Sequence, residues 1–182
     1  IEVTDSLPVV IPDTVPELTG TMADTMVAKW YLHQADILSD SAKYEEALGY
    51  NKKALKIYQG TVGEIDTLTL MSKYNIANSF YENNKLDSCI NLIKKSIRNS
   101  SKLISINKSI KISFELLLGK ALRKKGDYNL SLSHYQTALK IMIEYHGESN
   151  KDVADVYNTI GYLWYVKGKY DNSISLFQKT LK

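Results

Sequence analysis

Residues 153–177 read VADVYNTIGYLWYVKGKYDNSISLF. Apolar or aromatic side chains fall at Tyr157, Ile160, Trp164, Ile174 and Phe177, and Gly168-Lys169-Tyr170 separates two runs of helical spacing. The stretch therefore predicts a helical hairpin. Displaced backwards by 42 residues, it meets itself: Gly161 falls on Gly119, Ala77 and Ala35, and the turn falls on Gly126-Asp127-Tyr128, Asn84-Lys85-Leu86 and Ala42-Lys43-Tyr44. Four copies align without insertion or deletion. Self-similarity at such an interval marks stacked hairpins, each covering its neighbour's apolar face.

Helix punctuation repeats with the copies. Asp24, Asp66 and Asn150 occupy equivalent positions, and each has a short side-chain oxygen able to accept from the free amides of a first helical turn. Lys108 interrupts that series, with Asn107 just before it. First helices are expected over 25–40, 67–82, 109–124 and 151–166. In the second helices the pairs Ala47-Leu48, Cys89-Ile90, Ser131-Leu132 and Ser173-Ile174 are followed, seven residues on, by Ala54-Leu55, Ser96-Ile97, Ala138-Leu139 and Thr180-Leu181. Seven residues are nearly two turns, so both sets share a face; the small member admits a close neighbour and the large one fills the core. Gly126 and Gly168 suit left-handed turns, Asn84 is the next best residue, and Ala42 departs from the pattern. The link over Asn99–Ile106 has no glycine and is the least predictable junction.

The three prolines, Pro8, Pro12 and Pro16, all fall in residues 1–20. Proline fixes its own φ and disfavours helix in the residue before it. Residues 1–23 are therefore expected to be an extended segment, serving as a linker or cap or lying in the protein's own groove, and 24–182 a repeat array divided at about 24–65, 66–107, 108–149 and 150–182. The last repeat ends before its second helix should, which leads us to expect that the natural chain continues past Lys182, into more repeats or a further domain. The net charge is +3. Residues 1–20 carry four acids and no Lys or Arg, so the rest holds 23 basic against 16 acidic residues, and the span from Lys94 to Lys125 holds ten basic residues against Glu115 alone. No run approaches the roughly 18 apolar residues of a membrane span. The lone Cys89 excludes an intramolecular disulfide; a cytoplasmic location is the expectation.

At these positions the pattern resembles the tetratricopeptide repeat: an aromatic, then a large apolar residue followed by Gly or Ala, then small, aromatic and small positions in the second helix. Tyr157, Ile160-Gly161, Trp164, Ser173, Phe177 and Thr180 follow it in order. The longer repeat and the Gly147–Ala154 link resemble the kinesin-light-chain subtype. Lys73 and Glu115 depart from the first aromatic, Gln34 from the large apolar position and Asn51 from the second-helix aromatic. The resemblance implies an all-α, right-handed α-solenoid superhelix of four stacked antiparallel helix pairs. It also implies a non-catalytic scaffold whose first helices line a concave groove for a protein or peptide segment, within a larger signalling or effector protein.

By helical spacing, the groove face holds His33 and Asp36 in the first repeat, and Tyr74, Asn75, Asn78 and Tyr81 in the second. Leu117, Lys120, Arg123 and Lys124 follow in the third, and Asn158, Tyr162 and Tyr165 in the fourth. Ser39 and Asp40 lie on the same face of the first repeat. Asn75 and Asn78 can donate to and accept from an extended main chain, which is how the resembled family uses groove asparagines. Lys120, Arg123 and Lys124 suit a partner with acidic residues, and the tyrosines offer flat contact area. The same residues also fit a solvated helix face, Leu116 and Leu117 a core edge, and Cys89 a buried inert thiol. His33, His134 and His146 are dispersed, no metal-ligand spacing or phosphate-binding loop appears, and nothing calls for a cofactor. The chain is therefore read as no enzyme. Two rival readings remain: nucleic-acid binding through 94–125, which lacks aromatic interleaving, and a homo-oligomer formed by end-to-end stacking.

Overall fold

A computed structural model describes residues 21–180. Among them nine helices follow one another: α1 (Thr21–Asp40), α2 (Tyr44–Thr61), α3 (Thr67–Glu82), α4 (Leu86–Asn99), α5 (Ser101–Ile106), α6 (Lys108–Lys125), α7 (Tyr128–His146), α8 (Lys151–Val166) and α9 (Tyr170–Lys179). Four of the boundaries between them are made by one device. Ala42, Asn84, Gly126 and Gly168 all take positive φ, at 56°, 59°, 89° and 71°. In each case that residue's amide donates to the carbonyl three back, and the next amide reaches five back, as in Gly126 N to Arg123 O and Asp127 N to Leu122 O. This closes the orphan carbonyls of the preceding helix and reverses the chain. Ala42 makes the same turn as the glycines, at the steric expense of its Cβ.

The first helices start where a side chain can cap them. The Asp66 carboxylate accepts from Leu68 N at 2.7 Å, Asn107 Oδ1 from Ile110 N at 3.1 Å, and Asn150 Oδ1 from Asp152 N at 2.8 Å. The first repeat differs. α1 begins at Thr21 rather than 25, so it crosses the expected boundary at 23/24, and Asp24 lies inside its first turn instead of before it. Nothing in Thr21-Met22-Ala23 interrupts a helix, and a carboxylate in the first turn favours the positive end of the helix dipole. The extended segment expected over 1–20 lies outside the described residues. The glycine-free link is filled by the short helix α5, whose Leu103 packs on the core formed by α3, α4 and α6.

Each pair, α1/α2, α3/α4, α6/α7 and α8/α9, packs internally, and each second helix also packs on the next first helix: α2 on α3, α4 on α6, α7 on α8. The result is an α-solenoid of four stacked antiparallel helix pairs with its core in successive clusters. Leu70, Ile93, Phe114 and Leu118 fill one stretch; Tyr135, Met142, Val153 and Ile160 fill the next. The small and large pairs behave as their spacing predicts at Ala47-Leu48, Cys89-Ile90 and Ser131-Leu132, all buried. In the last repeat Ser173 is buried but Ile174 is 55% exposed. Among the described residues no further helix lies beyond α9 to cover it.

Two glycines set how closely the helices of a pair approach. A Cβ at Gly119 would meet Tyr135 ring atoms at 2.9 Å, and one at Gly161 would meet Phe177 at 2.8 Å. The ring of the second helix lies directly on the backbone of the first. The first two repeats use Ala35 with Asn51 and Ala77 with Ile93 at the matching positions.

Candidate functional site

The departures from the repeat pattern at the first aromatic position have local chemical reasons. In the fourth repeat the Tyr157 hydroxyl donates to Glu148 Oε1 at 2.7 Å, joining α8 to the link before it. Lys179 Nζ lies 3.1 Å from the same oxygen and over the Tyr157 ring. In the second repeat Lys73 replaces the tyrosine and pairs with Glu64 at 2.7 Å, so the link glutamate is retained and its partner exchanged. Donation by Lys73 holds the Glu64 carboxyl below the usual glutamate value. Glu115, at the third such position, pairs instead with His134 of α7 at 2.7 Å. Lys73 and Tyr157 thus tie a first helix to the link before it, and Glu115 ties a first helix to the second helix of its own pair.

The exposed face of the first helices has a graded chemistry. At the α1 end, Asp36, Ser39 and Asp40 join Asn75, Asn78 and Ser79 of α3 and Asn51 of α2 around a cavity of about 250 Å³. Asn51 is only 3% exposed, and its Nδ2 donates to Ser79 Oγ at 3.2 Å. Ser79 Oγ in turn donates to Asn75 O at 3.0 Å, which fixes the amide orientation. Asn51 Oδ1 is buried without a donor. An unmatched buried carbonyl of this kind costs roughly 1–3 kcal/mol. Burial around Asp36 raises its carboxyl pKa; His33 lowers it and Asp40 raises it further.

Further along, Lys124 Nζ lies 4.9 Å from the Tyr81 ring centroid, linking α6 to α3 by a cation–π contact. Tyr74 is half-buried with its ring 6.2 Å from that of Phe114. Lys120 is exposed, and Arg123 is half-buried, with its charge acting on the Tyr135 phenol. On α8, Asn158, Tyr162 and Tyr165 are exposed, and the Tyr165 ring stands 5.8 Å from that of Tyr170.

The predicted face is thus only partly a single place. The structure brings Asp36, Asn75 and Asn78 to one cavity and Tyr81 to Lys124. His33 is exposed beside Asp36 but outside the cavity lining. Leu117 requires correction: it is 1% exposed and packs among Phe114, Leu118 and Ala121, so it belongs to the core and not to a binding surface. Of the three consecutive leucines, Leu117 and Leu118 are buried and Leu116 packs, partly buried, against the next core cluster. Asn51 and Ser79 were missed. The signal for Asn51 was visible, because an amide at a position that elsewhere carries Tyr135 and Phe177 must find polar surroundings.

The basic span lies on two packed helices, with Lys94, Lys95 and Arg98 on α4 and Lys120, Arg123, Lys124 and Lys125 at the end of α6; Lys94 and Lys125 line one cavity, where Lys125 pairs with Asp87. Cys89 is fully buried and its thiol is pushed up to about 12 by that burial, which keeps it protonated. Among the described residues no group of three or more His, Cys, Asp and Glu is placed to hold a metal ion, and no helix is long and apolar enough to cross a membrane.

Residues 112–182, holding the third and fourth hairpins, match the tetratricopeptide repeat family. Residues 112–182 carry tetratricopeptide repeats, and the hairpins before them are built at the same spacing. No curated protein matches the sequence. Among solved structures, these repeats superpose on BtubC (BKLC) from P. vanneervenii with a TM-score of 0.74 at 16% identity, covering 88% of this chain and 63% of that one. The kinesin-light-chain TPR-like repeats of Podospora anserina give 0.74 at 11% identity, covering 86% and 74%. The Rap conjugation gene regulator of plasmid pLS20 in complex with the Phr* peptide gives 0.70 at 20% identity, covering 98% and 48%. At these identities the likeness is one of tetratricopeptide-repeat fold. The chain spans less than two thirds of the length of the first of these structures and about half of the last.

Proposed function

We propose that the chain is a non-catalytic scaffold that holds a peptide, or an extended or helical segment of a protein partner, against the exposed face of α1, α3, α6 and α8, as the recognition part of a larger regulatory protein. The observation that carries this reading is the pair Asn75 and Asn78. They lie one turn apart on α3, both line the polar cavity, and neither side chain has a hydrogen bond to another described residue. An amide that both donates and accepts matches a peptide main chain, which presents both functions at regular intervals. Exposed tyrosines at 162 and 165 add flat area that loses little entropy on contact. Two structures of similar fold support the reading by what they hold: the Phr* peptide in one Rap regulator, and Competence and Sporulation Factor in another Rap protein.

The test is panning of a random nonapeptide library against the chain and against Asn75→Ala/Asn78→Ala. The original chain should select a defined set of peptides, and the double variant should lose about tenfold or more in affinity for them, which corresponds to about 1.4 kcal/mol. Its Tm should change little, because both side chains lie at the surface of an otherwise intact helix. Equal affinity in the two proteins would remove these asparagines from the site.

A further inference from the structure

The cavity lined by the two asparagines is also lined by two carboxylates. Asp36 and Asp40 stand one turn apart on α1, an arrangement in which like charges repel, and among the described residues neither pairs with a lysine or arginine. At its floor is Asn51, nine-tenths buried and more, whose Nδ2 is committed to Ser79 while Oδ1 has no donor. Ser79 cannot supply one, because its hydroxyl hydrogen goes to the Asn75 carbonyl. Asn51 also stands where the later repeats place Tyr135 and Phe177, whose rings lie on Gly119 and Gly161. The first repeat therefore has a polar recess where the second packs Ile93 and the last two pack an aromatic ring.

We infer that this recess receives the cationic side chain, lysine or arginine, of the segment held on the first-helix face; the inference rests on the peptide-binding reading above. An ammonium brings three donors and a guanidinium five, with no acceptor, and the recess is lined by two carboxylates and by the Asn75 and Asn78 amides, with the unmatched Asn51 carbonyl buried behind them. A carboxylate guest would add a third negative charge, and an apolar one would leave every acceptor unmatched. The volume of about 250 Å³ suits the head of one side chain and not a helix. The raised carboxyl of Asp36, caused first by burial and then modulated by His33 and Asp40, describes a site that gains from an arriving positive charge.

The test uses five nonapeptide libraries, random except for a central lysine, arginine, citrulline, norleucine or glutamate, panned against the chain, Asp36→Asn/Asp40→Asn and Asn75→Ala/Asn78→Ala. The original chain should capture the lysine and arginine libraries about tenfold better than the norleucine and citrulline ones. Asp36→Asn/Asp40→Asn should capture the lysine and arginine libraries no better than the norleucine and citrulline ones. Asn75→Ala/Asn78→Ala should lose capture of all five. A preference that is absent, or that persists in the aspartate variant, overturns the cation recess and leaves the peptide-binding reading standing. Failure to capture any library overturns both.

Discussion

At the scale of single residues, the places where this sequence breaks its own pattern are where its chemistry is most specific. Lys73 and Tyr157 occupy equivalent positions and answer the same link glutamate, one through an ion pair with Glu64 and the other through a hydroxyl on Glu148. The Glu64 carboxyl is held below its ordinary value chiefly by Lys73, so its contribution is present above the unfolded glutamate pKa, about 4.3, and is lost as pH falls through the lower folded value. Glu64→Gln should therefore lower Tm slightly at pH 7, and the gap to the original protein should close on acidification below that range. Glu64 is exposed, so added salt should also shrink the gap. A gap that stays constant from pH 7 to pH 3 would show that the pair contributes nothing. Cys89 offers a second check at this scale. With its thiol buried and pushed up to about 12, it should resist a thiol reagent in the folded protein and react at once in denaturant.

At the scale of the helices, the sequence was legible because the devices that start and stop them are local. Asp66, Asn107 and Asn150 cap the first helices, and the residues at 84, 126 and 168 take the left-handed turns that their side chains suggest. What was not legible depended on context. Thr21-Met22-Ala23 carries no stop signal, yet it was read as part of a proline-containing segment, and α5 fills a link whose sequence has no helix punctuation beyond its length. Ala42 exposes the energetic term most cleanly, since it holds a conformation that a Cβ disfavours. Ala42→Gly should stabilise the protein by about 1 kcal/mol, the steric relief exceeding the added chain entropy, and raise Tm by roughly 2–4 °C. Gly119→Ala should act in the opposite sense, because its Cβ would meet the Tyr135 ring at 2.9 Å; a loss of roughly 1–3 kcal/mol is expected. Thermal unfolding of both variants beside the original protein checks the pair. An Ala42→Gly variant that melts lower would mean the turn is not strained.

At the scale of the whole molecule, periodicity told which faces turn inward but not how far apart neighbouring first helices stand. That distance decides which residues share a site. Asp36, Asn75 and Asn78 were placed on one face from spacing alone and do line one cavity, whereas Leu117 was placed there too and is in the core. Helical spacing resolves a face to about one residue in either direction, and at the boundary between face and core only packing separates Leu116 from Leu117. Asn51 belongs to a second helix and could enter the site only through the stacking of α2 on α3. The proposed function puts the partner on the first-helix face. The most direct measurement is photo-crosslinking in the source cell from a benzoylphenylalanine placed singly at Asn78 or Tyr162 on that face, and at Lys52 or Ser133 on the second helices. A shared adduct is expected from Asn78 and Tyr162 and none from Lys52 and Ser133. Adducts only from Lys52 and Ser133 would place the partner on the opposite face and contradict it.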